Sequence, residues 1–340
     1  MKKETQYSIL CVLAAVLLFL ANLFWGAVRI PASEVWHILW GAESEKASWA
    51  YIVLDNRLPQ ACTALLCGCA LSASGLILQT CFKNPLADPS ILGINSGASL
   101  GVALVILFMG GSLTTDLISL NGFLLTVAAA LAGAMLIIAL LLFLSSILRN
   151  NMMLLITGIM ISYLTSSSIA LLNYQASADG VFTYMVWGLG SFGNVSLGQL
   201  PAFSALLLTG LAGALLLIKP LNALLLGERY AENLGIPIKR TRNMLLWVTG
   251  LLTATTTAFC GPISFIGLAV PHLARILLRT AQHQYLMPAT ILLGGALSLL
   301  CNLLCNLPGT SGSLPLNVVT PIIGAPTVIY IILKQRNSNL

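Results

Sequence analysis

A chain of 340 residues that is 58% apolar, only 8% charged and of mean hydropathy +0.93 is no ordinary soluble globule, because apolar runs near spanning length recur from end to end. The net charge of +6 is accordingly no sign of nucleic-acid binding, since in a membrane chain Lys and Arg report topology first. At about 20 residues per span the length allows roughly ten spans and leaves no room for a separate globular domain, so 1–340 is expected to be one transmembrane unit.

The first apolar run, 9–28, follows Lys2 and Lys3. It is longer than the about 7–15 residues of a signal-peptide core and is read as the first span. Spans two to six follow at 58–82, 91–109, 122–148, 152–174 and 200–218. Then comes the one dense island of charge, Lys219, Glu228, Arg229, Glu232, Lys239, Arg240 and Arg242, which is expected to sit in water. Spans seven to ten are placed at 244–259, 264–278, 286–307 and 318–333. The eighth is short, and Gly261 with Pro262 before it predicts an irregular turn below the membrane surface. Such backbone is tolerated only where it is buried in protein or lines a cavity.

Charge tests the count. With the amino terminus inside, Lys2, Lys3, Lys83, Arg149, Lys219, Arg229, Lys239, Arg240, Arg242, Arg275, Arg279, Lys334 and Arg336 fall on the inner side, leaving Arg29, Lys46 and Arg57 outside. Acids tilt the other way, with Glu34, Glu43, Glu45, Asp55, Asp116 and Asp179 outside. A wrong span count would scramble this partition, so the positive-inside rule favours ten spans with both termini cytoplasmic. Spans two to five and seven to ten then run in opposite directions, the geometry of an inverted repeat. The residues echo it faintly, in Pro89 to Gly93 and again in Pro262 to Gly267.

The absences narrow the mechanism. No Asp or Glu lies inside a predicted span, whereas ion-driven carriers keep carboxylates at membrane depth for coupling. No Gly-Lys pair occurs, so a Walker-type phosphate loop is excluded and the energy for active transport must come from another polypeptide. A secondary carrier or channel and an intramembrane enzyme are the rival classes; the first lacks its carboxylates and the second its catalytic cluster.

Several motifs read as structure. Gly188, Gly190 and Gly193 match G-x-G-x-x-G, but in a predicted outer loop without a preceding strand, and are read as a closely packed turn. Cys11, Cys62, Cys67, Cys69, Cys81, Cys260, Cys301 and Cys305 lie in or at the ends of spans and are read as apolar filler. Cys301 and Cys305 are one turn apart, but no His or acid joins them, and no metal site is expected. His37, His272 and His283 have no catalytic context; His272, after Pro271, is expected to pack or hydrogen-bond at a helix break. Gly97 and Gly101 form a small-residue face for close helix packing. In span five, Thr157, Ser162, Thr165, Ser166, Ser167, Ser168 and Asn173 either bond to their own backbone or line a wet pathway, and both readings stand.

In linear order the chain presents Arg57 to Pro59, Gly75 to Gln79, Asn84 to Pro89, Leu92 to Ala98, Trp187 to Ser191, Leu226 to Gly235, Gly261 to His272, and Leu314 to Thr320 with Gly324 to Pro326. Together these resemble the FecCD-type permeases of ABC importers, which carry iron-siderophores, haem or cobalamin. The resemblance implies an all-α polytopic type II ABC importer permease with ten transmembrane helices. It implies a second permease subunit taken as an identical copy, two cytoplasmic ABC ATPase subunits, a soluble substrate-binding protein outside and a bacterial inner-membrane location. No cofactor is expected, and ATP hydrolysis belongs to the ATPase subunits.

The same resemblance assigns roles. Leu226, Gly227, Glu228, Arg229, Ala231, Glu232, Leu234 and Gly235 would form the pair of short helices resting on the ATPase, within a cytoplasmic segment 219–242. The residues agree: Pro220 and Gly235 to Pro237 punctuate the ends, Gly227 permits a bend, and Glu228 and Glu232 share a face. Asn150, Asn151, Ser162 and Ser166 would line the pathway and its cytoplasmic gate. Arg57 would present a cation to the binding protein, although Gln60 stands where a second arginine is common and 308–313 is uncharged. The implied mechanism is alternating access, with a ferric siderophore as the first-choice substrate, then haem, then cobalamin.

Overall fold

The computed structural model describes residues 3–42, 44–108, 120–148, 151–307 and 313–338. Regular structure among them is helical throughout: α1 Lys3–Phe24, α2 Ala32–Leu39, α3 Ala47–Tyr51, α4 Leu58–Cys81, α5 Ile94–Ala103, α6 Leu120–Ile147, α7 Asn151–Gln175 and α8 Ala178–Gly188. Then come α9 Leu200–Leu216, α10 Ile218–Leu226, α11 Glu228–Asn233, α12 Ile238–Cys260, α13 Ile266–Leu278, α14 His283–Cys305 and α15 Leu316–Ser338.

Every predicted span coincides with a helix. Among the described residues six helices are long and apolar enough to cross a membrane, and α9 with α10, bent by 46°, makes a seventh if the pair is one span. The other three predicted spans are shorter apolar helices, at Ile94–Leu107, Ile266–Leu278 and Leu316–Ile329. Proline sits in the first turn of α4 and of α9, where the missing amide hydrogen costs nothing.

The boundaries differ where polarity and helix part company. Hydropathy starts span seven at 244, but α12 begins at Ile238, because Pro237 precedes it and its first turns carry Lys239, Arg240 and Arg242. The first span was expected to reach 28, yet α1 ends at Phe24. The short helices α2 and α8 were not anticipated; Ser177 caps α8, its Oγ accepting from the Gly180 amide at 3.2 Å.

Helices cross closely where side chains are absent. A Cβ on Gly75 of α4 would overlap the Gly267 carbonyl of α13, and one on Gly97 of α5 would meet Gly133 of α6. Contacts also repeat under exchange of the two halves. α4 packs on α14 as α12 packs on α6, α5 on α6 as α13 on α14, α5 on α7 as α13 on α15, and α4 on α13 as α12 on α5. The counterpart helices α5 and α13 each start after a left-handed residue, Gly93 at φ 83° and Phe265 at φ 71°. This pairwise exchange is the arrangement expected of the inverted repeat.

The turn after α12 is irregular and enclosed. Gly261, at φ 78°, breaks the helix, and Asn317 at the start of α15 satisfies the broken backbone. Its amide nitrogen donates to the Gly188 and Pro262 carbonyls, and its oxygen accepts from the Ser264 amide at 3.3 Å. Gly190, at φ 71°, docks here too, with Ser191 donating to the Cys260 carbonyl at 2.9 Å. The G-x-G-x-x-G stretch is thus a seam between elements.

Candidate coupling face and pathway helix

Polar contacts sort into two ends of the bundle. At one lie the Arg57 bonds to the end of α1 and the Asn317 hub. At the other lie α10, α11 and the joined ends of α4, α6, α12, α13 and α14.

On that second end α10 and α11 form a bent pair. Gly227 sits between them at φ 116° and ψ 154°, a conformation closed to residues with a Cβ. One face of α10, with Leu221, Ala223 and Leu224, is buried; Leu226 is 66% exposed. α11 buries Ala231 and ends in a Schellman turn. There the Ile236 amide donates to the Ala231 carbonyl at 3.0 Å and the Gly235 amide to Glu232 at 2.9 Å, with Gly235 at φ 80°. The outward surface combines Leu226, Tyr230 and Leu234 with the charges of Arg229 and Glu232, while Glu228 is half-buried. Exposed apolar groups among charges suit a partner surface. The structure brings Leu226, Gly227, Glu228, Arg229, Ala231, Glu232, Leu234 and Gly235 into this one unit, with Ala231 its internal anchor.

The charged island does not sit wholly in water. Arg242 is buried, and its Nη2 donates to the Ser145 carbonyl and, at 3.3 Å, to the Leu148 carbonyl. It closes the end of α6, whose last carbonyls have no partner within the helix. The start of α12 is thereby tied to the end of α6.

Asn150 lies outside the described residues, and Asn151 opens α7 with only its backbone described. On α7, Ser162 Oγ donates to the Gly158 carbonyl at 3.0 Å. Thr157, Thr165 and Ser168 make the same kind of bond back into their own helix. Ser166 and Ser167 are exposed. Of the gate and pathway residues only Ser162 and Ser166 have described side chains, and α7 keeps a long exposed face from Met153 to Tyr174.

Arg57 is the clearest departure. The expected docking cation is 6% exposed, and its Nη1 donates to the Leu23 carbonyl at 2.9 Å and the Phe24 carbonyl at 3.3 Å, with Nη2 on Val28. Gly26 lies against the guanidinium, and a Cβ there would stand 2.9 Å from Arg57 Nε and displace it. The guanidinium closes the end of α1.

Between α4 and α5, the loop of Asn84 to Pro89 is seated on α13. His272 Nε2 lies 2.8 Å from the Pro85 carbonyl, and Asp88 Oδ1 accepts from the Ser90 amide at 2.9 Å. Burial pushes the Asp88 carboxyl above the ordinary range, partly countered by its hydrogen bonds from Ser90. Sequence reasoning missed this buried acid because it lies outside every predicted span.

Near the other end, a cavity of about 620 Å³ is lined by Gln60, Trp187, Asn194, Asn302 and Asn306 among others.

The model of the FecCD transport family matches residues 13–334. The chain is 33% identical over 325 residues to the hemin transport system permease protein HmuU of Yersinia pestis, covering 95% of this chain and 96% of that one. It is 34% identical over 288 residues to the vitamin B12 import system permease protein BtuC of Escherichia coli O9:H4, covering 84% of each. A solved structure described as an inward-facing conformation of a metal-chelate type ABC transporter superposes with a TM-score of 0.83 at 27% identity, covering 97% of this chain and 99% of that one.

Proposed function

We propose, from the premise that the chain belongs to the FecCD transport family, that it is the membrane permease of an ATP-driven importer which passes a ferric siderophore inward by alternating access. The α10–α11 pair carries the reading: a bent, exposed, mixed apolar and charged unit projects from one end of a chain that has no nucleotide-binding loop of its own. Energy then enters through a contact with a separate ATPase, and the 219–242 segment is where it enters. ATP closes two such ATPases, their motion shifts α10 and α11, and the α7 face of each of two permeases opens first to one side and then to the other.

The permeases are two copies of this chain, in a bacterial inner membrane with both termini cytoplasmic, as the basic residues favour. A soluble binding protein delivers the chelate outside. Haem and cobalamin are the alternative cargoes, favoured by the names of the two relatives.

The test is uptake into proteoliposomes holding the permease, its ATPase and its binding protein, offered a ferric siderophore, haemin or cyanocobalamin. ATP-dependent uptake of the siderophore is the expected result. Uptake of none of the three would overturn the substrate class, and uptake persisting without the ATPase would restore the secondary-carrier reading.

A further inference from the structure

His283 has no part in the roles above, yet it is 1% exposed and joins three helices. It opens α14, and the Gln282 side chain before it makes no capping bond. The first amides of a helix lack partners within it. Here the partner comes from α10, where Asn222 Oδ1 accepts from the His283 amide at 2.7 Å. The same oxygen lies 3.2 Å from His283 Nδ1. On the far side of the ring, Nε2 lies 2.8 Å from Thr80 Oγ1 in the last turn of α4. A carboxamide oxygen only accepts, so in the neutral ring Nδ1 carries the proton, and Nε2 shares the single hydroxyl proton of Thr80 with the Leu76 carbonyl, 2.9 Å from the same oxygen.

We infer that Asn222, His283 and Thr80 form a hydrogen-bonded clutch that carries displacement of the coupling segment into α14 and α4, with His283 as its positioning residue. α10 belongs to the coupling unit, and the inference rests on that reading of α10 and α11. The Thr80–His283 contact is buried and the two bonds from Asn222 are part-buried, so lateral movement of α10 draws the first turn of α14 with it or loses bonds to a buried imidazole. Beyond the clutch α4 is stiffly held. It meets α14 where a Cβ on Gly68 would overlap the Gly294 carbonyl, and it meets α13 at Gly75. Movement received at Thr80 is therefore passed on by rigid, closely packed helices. By contrast α7 packs on α5 and α6 and lies outside this block, so the clutch moves the core against the pathway helix.

The test uses the permease assembled with its ATPase and binding protein in nanodiscs. Hydrogen exchange in the last turn of α4 is followed with and without ATP and vanadate, alongside ATP hydrolysis and thermal unfolding. Nucleotide is expected to change exchange there by about tenfold in the unsubstituted protein, the effect of roughly one hydrogen bond made or broken. Asn222→Asp keeps an acceptor oxygen and should keep the response. Asn222→Leu, of similar size with no acceptor, and Thr80→Val should lose it, each in a folded protein with a lower unfolding temperature, because a buried partner is left unpaired. A response that survives in both Asn222→Leu and Thr80→Val overturns the clutch, as does its loss in Asn222→Asp, which would mark mere packing. Glu232→Lys probes the underlying reading separately: normal ATPase stimulation in that variant would move the coupling contact elsewhere, whatever the clutch variants do.

Discussion

Arg57 and Arg242 do the same work at different helix ends. Each is buried, and each gives its guanidinium to the last carbonyls of another helix, Arg57 to α1 and Arg242 to α6. A cation there meets the negative end of the helix dipole as well as its unpaired oxygens. Hydrogen bonds to charged groups contribute about 1.5–3 kcal/mol each, so removing one such cation from a buried site is costly. Arg57→Gln is expected to lower the thermal unfolding temperature of the purified permease, with a loss of about 3 kcal/mol, while its affinity for the binding protein stays unchanged. The reverse outcome, weaker docking at unchanged stability, would return Arg57 to the surface role that the family resemblance implied. Composition counts both arginines as aqueous, because a formal charge at the edge of an apolar run carries no mark of what it bonds.

At the scale of elements, the coupling unit depends on its bend. α10 and α11 are too short to hold a shape alone, and what sets their angle is the backbone of Gly227 at φ 116° and ψ 154°. Any Cβ there costs about 1–3 kcal/mol unless the two helices reorient. Gly227→Ala should therefore cut ATPase stimulation by about tenfold, the effect of roughly 1.4 kcal/mol, and leave thermal unfolding of the transmembrane body unmoved. Measured hydrolysis in the assembled transporter decides it: full stimulation would mean the bend has no bearing on coupling. This unit was the most legible part of the candidate site. Gly227 and the pair Gly235 and Pro237 mark its limits in the residues themselves and the structure turns there, whereas Pro220 falls inside α10 and the bend from α9 comes earlier, at Leu217. Much less legible were α2 and α8, where eight to eleven residues of mixed polarity leave no long apolar run to notice.

For the whole molecule, the exchange of contacts between the two halves leaves α7 on an edge, packed by α5 and α6 and open from Met153 through Met160 and Leu164 to Tyr174. In the homodimer reading a second copy and the pathway share that open face. Two differently tagged copies of this chain, expressed together without any other permease, are expected to co-purify as a pair. Recovery of single copies only, with pairing restored by a second permease, would make the assembly a heterodimer.

Hydropathy by itself determined a polytopic helical membrane protein and the order of its apolar helices, while the segment proposed for coupling was marked by its run of charge and assigned by the family resemblance. These are local quantities, summed along a run of residues, and the bilayer reads them as a sum. Only the tertiary structure decided the fate of individual polar groups. Arg57 and Arg242 as helix caps, Asn317 as the keeper of a broken turn, and His283 as a link between α10 and α4 each depend on a partner between 29 and 203 residues away. A buried polar group must find its partner in space, and distance along the chain says nothing about where that partner is.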